Sequence, residues 1–90
     1  MDFIVGTSPS IETLEGTDGV VFSVTVHGGI VTMRIEEGGD STGLEAIDGS
    51  PIQNNKTLGL LTNSVGTTAR IELSSTAANT QVIINRIQNQ

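Results

Sequence analysis

Between Val20 and Glu37 the chain alternates apolar and polar residues twice, and no other stretch constrains the fold as strongly. In the first run Val20, Phe22, Val24 and Val26 are separated by polar Ser23 and Thr25. In the second, Val31, Met33 and Ile35 fall on one side, and Thr32, Arg34 and Glu36 on the other. A period of two is the mark of a strand with one buried and one wetter face. His27-Gly28-Gly29 separates the runs, and glycine reaches the positive φ that a tight turn demands. The expectation is a β-hairpin.

The remaining chain supplies more short extended pieces. Phe3-Ile4-Val5 reads either as a first strand or as an arm over residues 1–8 that reaches a neighbour. Ile11 to Leu14, Leu44 to Ile47, Thr57 to Leu61, Thr67 to Leu73 and Thr80 to Ile87 follow. Turn chemistry divides them: Glu15 to Gly19, Gly38 to Gly43, Asp48-Gly49-Ser50-Pro51 and Asn63 to Gly66. Ala69, Ile71 and Leu73 are expected to face inward, Thr68, Arg70 and Glu72 outward. No window shows a 3.6-residue apolar period, and β-branched residues dominate. The sequence therefore predicts an all-β domain over residues 1–90, an antiparallel β-sandwich or small β-barrel of about six to eight short strands. The tail Gln88-Asn89-Gln90 is expected to be loose.

Size limits what such a domain does alone. Ninety residues bury roughly 60–65% of their unfolded surface, a thin margin over chain entropy. The chain has no cysteine, so disulfides and thiolate metal sites are excluded. Its only aromatics are Phe3 and Phe22, which leaves Val, Ile and Leu to build the core. Support from oligomerisation or from docking on a larger assembly is expected. A net charge of −6 argues against nucleic acid and against an anionic membrane surface as partners. No stretch has the length of apolar sequence that a transmembrane helix needs, and the opening Met-Asp-Phe-Ile-Val-Gly does not read as a signal peptide.

Reactive constellations are sparse. Glu36, Glu37, Asp40, Glu45 and Asp48 surround a Gly-rich loop, but their spacing does not fit the calcium-loop pattern, and a solvated acidic loop is the plainer interpretation. Gly38 to Gly43 lacks the lysine of a phosphate loop and follows two glutamates that repel phosphate. His27 is the only histidine and stands in a turn, where exposure is expected. No nucleophile elbow and no carboxylate pair in apolar surroundings are visible. The expectation is a protein that is not an enzyme, with no catalytic residue, cofactor or metal ligand.

Apolar residues on the wet side of strands are the better lead. Val21, Ile30 and the consecutive Val82-Ile83-Ile84 exceed what one buried face requires. The expected contact residues are Phe3, Ile4, Val5, Val82, Ile83, Ile84 and Ile87. Addition of a strand to a sheet edge is the expected docking mode.

The stretch from Arg34-Ile35-Glu36-Glu37 through the acidic turn to Ala46-Ile47-Asp48-Gly49-Ser50-Pro51-Ile52 resembles small all-β structural proteins of tailed bacteriophages. Those proteins carry a strand ending in an acidic pair, an acidic turn, a bulky residue, then Val-Asp-Gly and Ile. Leu44 stands where an aromatic is usual, Gly38 replaces a serine, and the later strand keeps Arg70 but has no tyrosine. The resemblance implies a virion component of the capsid decoration or cement kind. Its partners would be other virion proteins, the major capsid protein first among them, with a homo-oligomer also expected. The alternative from a different class is a ligand-binding sandwich, carbohydrate-binding or adhesive, which the absence of Trp and Tyr disfavours.

Overall fold

The computed structural model describes residues 1–15, 20–37, 44–47, 49–61 and 68–87. Among them every regular element is a strand: β1 (Asp2–Val5), β2 (Ser10–Glu15), β3 (Val21–His27), β4 (Val31–Glu37), β5 (Glu45–Ala46), β6 (Thr57–Leu61), β7 (Thr68–Ser75) and β8 (Thr80–Ile87). They form two four-stranded sheets with antiparallel pairing throughout. Sheet A has the order β1-β8-β3-β6, and sheet B the order β2-β7-β4-β5. Consecutive strands alternate between the sheets, except β4 and β5, which pair side by side. Each strand thus lies over its chain neighbour in the other layer. This is the strand order of an eight-stranded jelly roll, a double-sheet solution to burying strand faces.

The expected hairpin between Val20 and Glu37 is not formed. β3 pairs with β6 and β8, whereas β4 pairs with β5 and β7. Gly28 to Ile30 carries the chain across the sandwich as an arch. The reason lies in the buried residues. Phe22, Val24 and Val26 face Val31, Met33, Ile71 and Leu73 across the interior, and all of them are fully or almost fully buried. Alternation fixes which side of a strand is buried. It does not say whether the next strand lies beside it or beneath it.

Two glycines make the arch. Gly28 has φ of 98°, a conformation L side chains rarely adopt. At Gly29 a Cβ would stand 2.5 Å from Ser75 Oγ and 2.6 Å from Thr80 Oγ1, so the turn packs directly on the β7–β8 arch. Thr80 is the fully buried polar residue at that junction. Its hydroxyl donates to the Ala77 carbonyl at 2.9 Å, and the Ser75 hydroxyl, 2.6 Å away, donates to it in turn. Ser75 Oγ also accepts the Ala77 N–H. Among the described residues no buried side-chain polar atom lacks a partner.

The N-terminal segment is a strand and not the arm that residues 1–8 allowed. Met1 and Ile84 exchange both backbone hydrogen bonds at 2.8 Å, and the Gly6 carbonyl accepts the Ser75 N–H. Beyond β5, Ile47, Ser50 and Ile52 continue the pairing along β4. Ile52 bridges Val31, and Ser50 Oγ accepts the Met33 N–H at 3.1 Å. The turns expected at residues 16–19, 38–43 and 63–66 and the tail 88–90 lie outside the described residues.

Candidate functional site

The outward side of each sheet follows from register. In sheet A the outward positions are Asp2 and Ile4 on β1, and Gln81, Ile83, Asn85 and Ile87 on β8. Val21, Ser23, Thr25 and His27 continue them on β3, and Thr57 and Gly59 on β6. Asp2 is the one carboxylate in this set. Ile4 is 68% exposed and Ile87 44% exposed, while Ile83 and Val21 are half-buried. Thr25 and Thr57 join hydroxyls across the strands at 2.9 Å, and Ser23 Oγ reaches the Asn85 carbonyl. This face carries a single carboxylate among the positions named, and isoleucine at Ile4 on β1 and at Ile83 and Ile87 on β8.

Sheet B is different outside. Its outward positions include Ile11, Thr13 and Glu15 on β2, Arg70, Glu72 and Ser74 on β7, and Thr32, Arg34 and Glu36 on β4. Arg34-Ile35-Glu36 and Arg70-Ile71-Glu72 are the same tripeptide. Laid antiparallel, they set Arg34 against Glu72 and Glu36 against Arg70. Both pairs form ion pairs, Arg34 to Glu72 at 3.2 Å. Arg34 also donates to the Leu44 carbonyl at 2.7 Å. Among the described residues the one large exposed apolar side chain here, Ile11, stands opposite Glu72. Half-exposed pairs of this kind contribute about 0.2–1 kcal/mol each, so the ladder serves mainly to keep the face wet and soluble.

The seven expected contact residues divide between interior and surface. Val5, Val82 and Ile84 are fully buried in the core, and Phe3 packs against it. Those four are therefore corrected from contact residues to core residues, because their positions on β1 and β8 face sheet B. Ile4, Ile83 and Ile87 point out of sheet A on a common face. The run Val82-Ile83-Ile84 is apolar on both sides, with Ile83 alone turned outward. Val21, flagged from sequence, joins that face opposite Ile87.

The other candidates take these places. His27 is exposed, and its Nδ1 lies 2.8 Å from Asn55 Oδ1, a residue with φ of 61°. Asn54 Oδ1 accepts the Gly28 N–H at 2.8 Å, so the two asparagines hold the β3–β4 arch. Glu36 belongs to the ion-pair ladder. Glu37 and Glu45 lie in β4 and β5 by backbone, and Asp40 and Asp48 fall outside the described residues. Among the described residues no three His, Cys, Asp or Glu side chains gather as a metal site, and no helix is long and apolar enough to cross a membrane.

Sequence reasoning missed the ion-pair ladder. The repeated Arg-Ile-Glu was the available signal, and it becomes informative only once the two strands are known to be antiparallel neighbours. Fold and surface together define a small jelly-roll sandwich with one charge-poor, isoleucine-bearing face and one charge-laddered face. Comparison with protein-family models, with curated protein sequences and with solved structures returns no match.

Proposed function

We propose that this chain is a non-enzymatic structural protein of a tailed-phage virion, a decoration or cement module that docks on the capsid through the outer face of sheet A. The observation that carries the proposal is the contrast between the two outer faces. A module that must stay soluble before assembly and adhere afterwards needs one wet side and one dry side. Sheet B offers paired charges, and sheet A offers Ile4, Ile83, Ile87 and Val21 among hydroxyls and amides, with Asp2 the one carboxylate among the positions named. The resemblance of Arg34 to Ile52 to phage structural proteins points the same way. The jelly roll is used by viral capsid proteins and equally by lectins, so the fold adds only analogy.

The size of the face suits a many-copy lattice. Four strands about 4.8 Å apart and about six residues long at about 3.3 Å per residue give roughly 400 Å². A stable pairwise interface buries about 800 Å² per partner. One copy alone would hold weakly, and copies that also touch one another gain from effective concentration. Binding only the assembled shell stabilises that shell by mass action.

The test is occupancy. Purified chain is mixed with shells of the source virion that lack it, and bound copies are counted after sedimentation, with the Ile83→Asp/Ile87→Asp variant alongside. Saturable binding that the variant loses supports the proposal. No binding by a folded chain, or selective retention on a glycan array instead, overturns it.

A further inference from the structure

The two sheets have four edges, and they are protected unequally. β5 is two residues long, and a very short edge strand offers little to pair with. β6 leads into residues 62–67, outside the described set, and supports no statement. β2 carries Glu12 and Glu15 within six residues, the usual defence of an edge against strand addition. β1 has one charge, at its start.

The free groups on β1 can be named. Met1 and Ile84 form a doubly bonded pair. In an antiparallel ladder such pairs alternate with non-bonded ones, so Phe3↔Val82 and Val5↔Thr80 are the next bonded pairs. The N–H and C=O of Asp2 and Ile4 therefore point away from β8, into solvent. Spaced two residues apart, they match the hydrogen-bonding repeat of one added antiparallel strand. Ile4, exposed beside them, offers an apolar neighbour to alternate side chains of that strand.

Charge decides the occupant. β1 and β2 lie on the same flank of the sandwich, and residues 1–15 contain Asp2, Glu12 and Glu15 with no Lys or Arg. Among the described residues none of the three acids is in an ion pair, and the Met1 ammonium, the one cation of this stretch, donates to the Ile84 carbonyl. The nearest base across the β2–β7 ladder, Arg70 opposite Thr13, is taken by Glu36. A second copy paired β1 to β1 would bring two acidic flanks side by side, on a chain already at −6. An extended segment bearing Lys or Arg meets complementary charge instead.

We infer that the β1 edge is a strand-addition site for a basic, extended segment of a partner protein, which pairs antiparallel with Asp2 and Ile4 while its cations meet the acidic flank formed by Asp2 and Glu12. This deepens the docking proposal and rests on it only for its biological setting. It is tested on the isolated chain, so its failure would leave shell binding untouched.

The experiment is amide exchange of the full chain by NMR, with short capped peptides as probes. One peptide alternates Lys and Val, one alternates Glu and Val, and a third is the basic peptide with proline at every second position. The expected result is that the Lys–Val peptide slows exchange at Ile4 by at least about tenfold at saturation, and that the proline peptide binds at least about tenfold more weakly. The Glu–Val peptide gives no protection, and added salt weakens the complex. Ile4→Pro removes an edge donor that β8 does not use and is expected to abolish the protection. Asp2→Lys with Glu12→Lys reduces affinity for the Lys–Val peptide and keeps every native backbone bond, so the inference stays testable if the proline variant fails to fold. Equal binding of the proline peptide would mean charge contact without strand addition, and equal protection by the Glu–Val peptide would remove the charge argument. Concentration-dependent protection of Ile4 without any peptide would assign the edge to a second copy. Each of these three results overturns the inference.

Discussion

Both sheets are four-stranded, antiparallel and buried on one side, yet their outer faces are built from different residues. Outside sheet B, Arg34 and Glu36 meet Glu72 and Arg70 in a crossed ladder. Outside sheet A, the equivalent inner strands β8 and β3 set Ile83 against Thr25, Asn85 against Ser23 and Ile87 against Val21. The interior demands the same from both, an unbroken layer of Val, Ile, Leu and Phe22. The difference is thus not required by folding. A face that folding leaves free to be polar, but that carries isoleucine, is the observation on which the docking proposal rests.

The comparison is broken most forcefully on β8, where neighbours point opposite ways. Ile84→Ala should cost about 2–5 kcal/mol in denaturant unfolding, since it opens a cavity between the sheets. Ile83→Ala on the outer face should cost under about 1 kcal/mol. Comparable losses would mean that the inward and outward assignments of β8 are wrong. The same strand sharpens the functional contrast. Ile83→Asp/Ile87→Asp should lower shell affinity by about a hundredfold, near 3 kcal/mol, while Thr32→Asp/Ser74→Asp on sheet B leaves it unchanged.

A smaller effect belongs to the arch that separates the faces. Gly29→Ala places a methyl against Ser75 and Thr80 and should destabilise by about 1–3 kcal/mol, read as a lower thermal midpoint. A neutral outcome would show that the two arches are not packed as described. The smallest effect is on the ladder of sheet B. A double-mutant cycle on Arg34 and Glu72 should give a coupling of about 0.2–1 kcal/mol that fades with added salt. A coupling well above that would make sheet B's outer face structural and weaken the contrast with sheet A.

Much of the architecture was legible before any coordinates. Alternation located β3, β4 and β7, and it placed Val24, Met33 and Ile71 inside and Arg34 and Arg70 outside. It failed where it was asked for neighbours. His27-Gly28-Gly29 suits a hairpin and an arch equally, since both need a positive φ and little bulk. Only the packing of Val26 and Val31 in opposite layers distinguishes them. The contact residues failed for a related reason. In Val82-Ile83-Ile84 and Phe3-Ile4-Val5 every residue is apolar, so period two is silent about which residue faces out. Register with Thr80 and Gln81 resolves it. The open edge of β1 could not be read at all from composition, because it depends on which amides β8 already uses.

Because the chain has no cysteine, single cysteines can be placed at will, and thiol labelling then measures which face a partner covers. Asn85→Cys reports on sheet A and Thr13→Cys on sheet B, both at exposed outward positions. On shell-bound protein the account predicts that labelling at residue 85 slows by at least about tenfold relative to free protein while residue 13 reacts as before. Protection at residue 13 with residue 85 still open would contradict it.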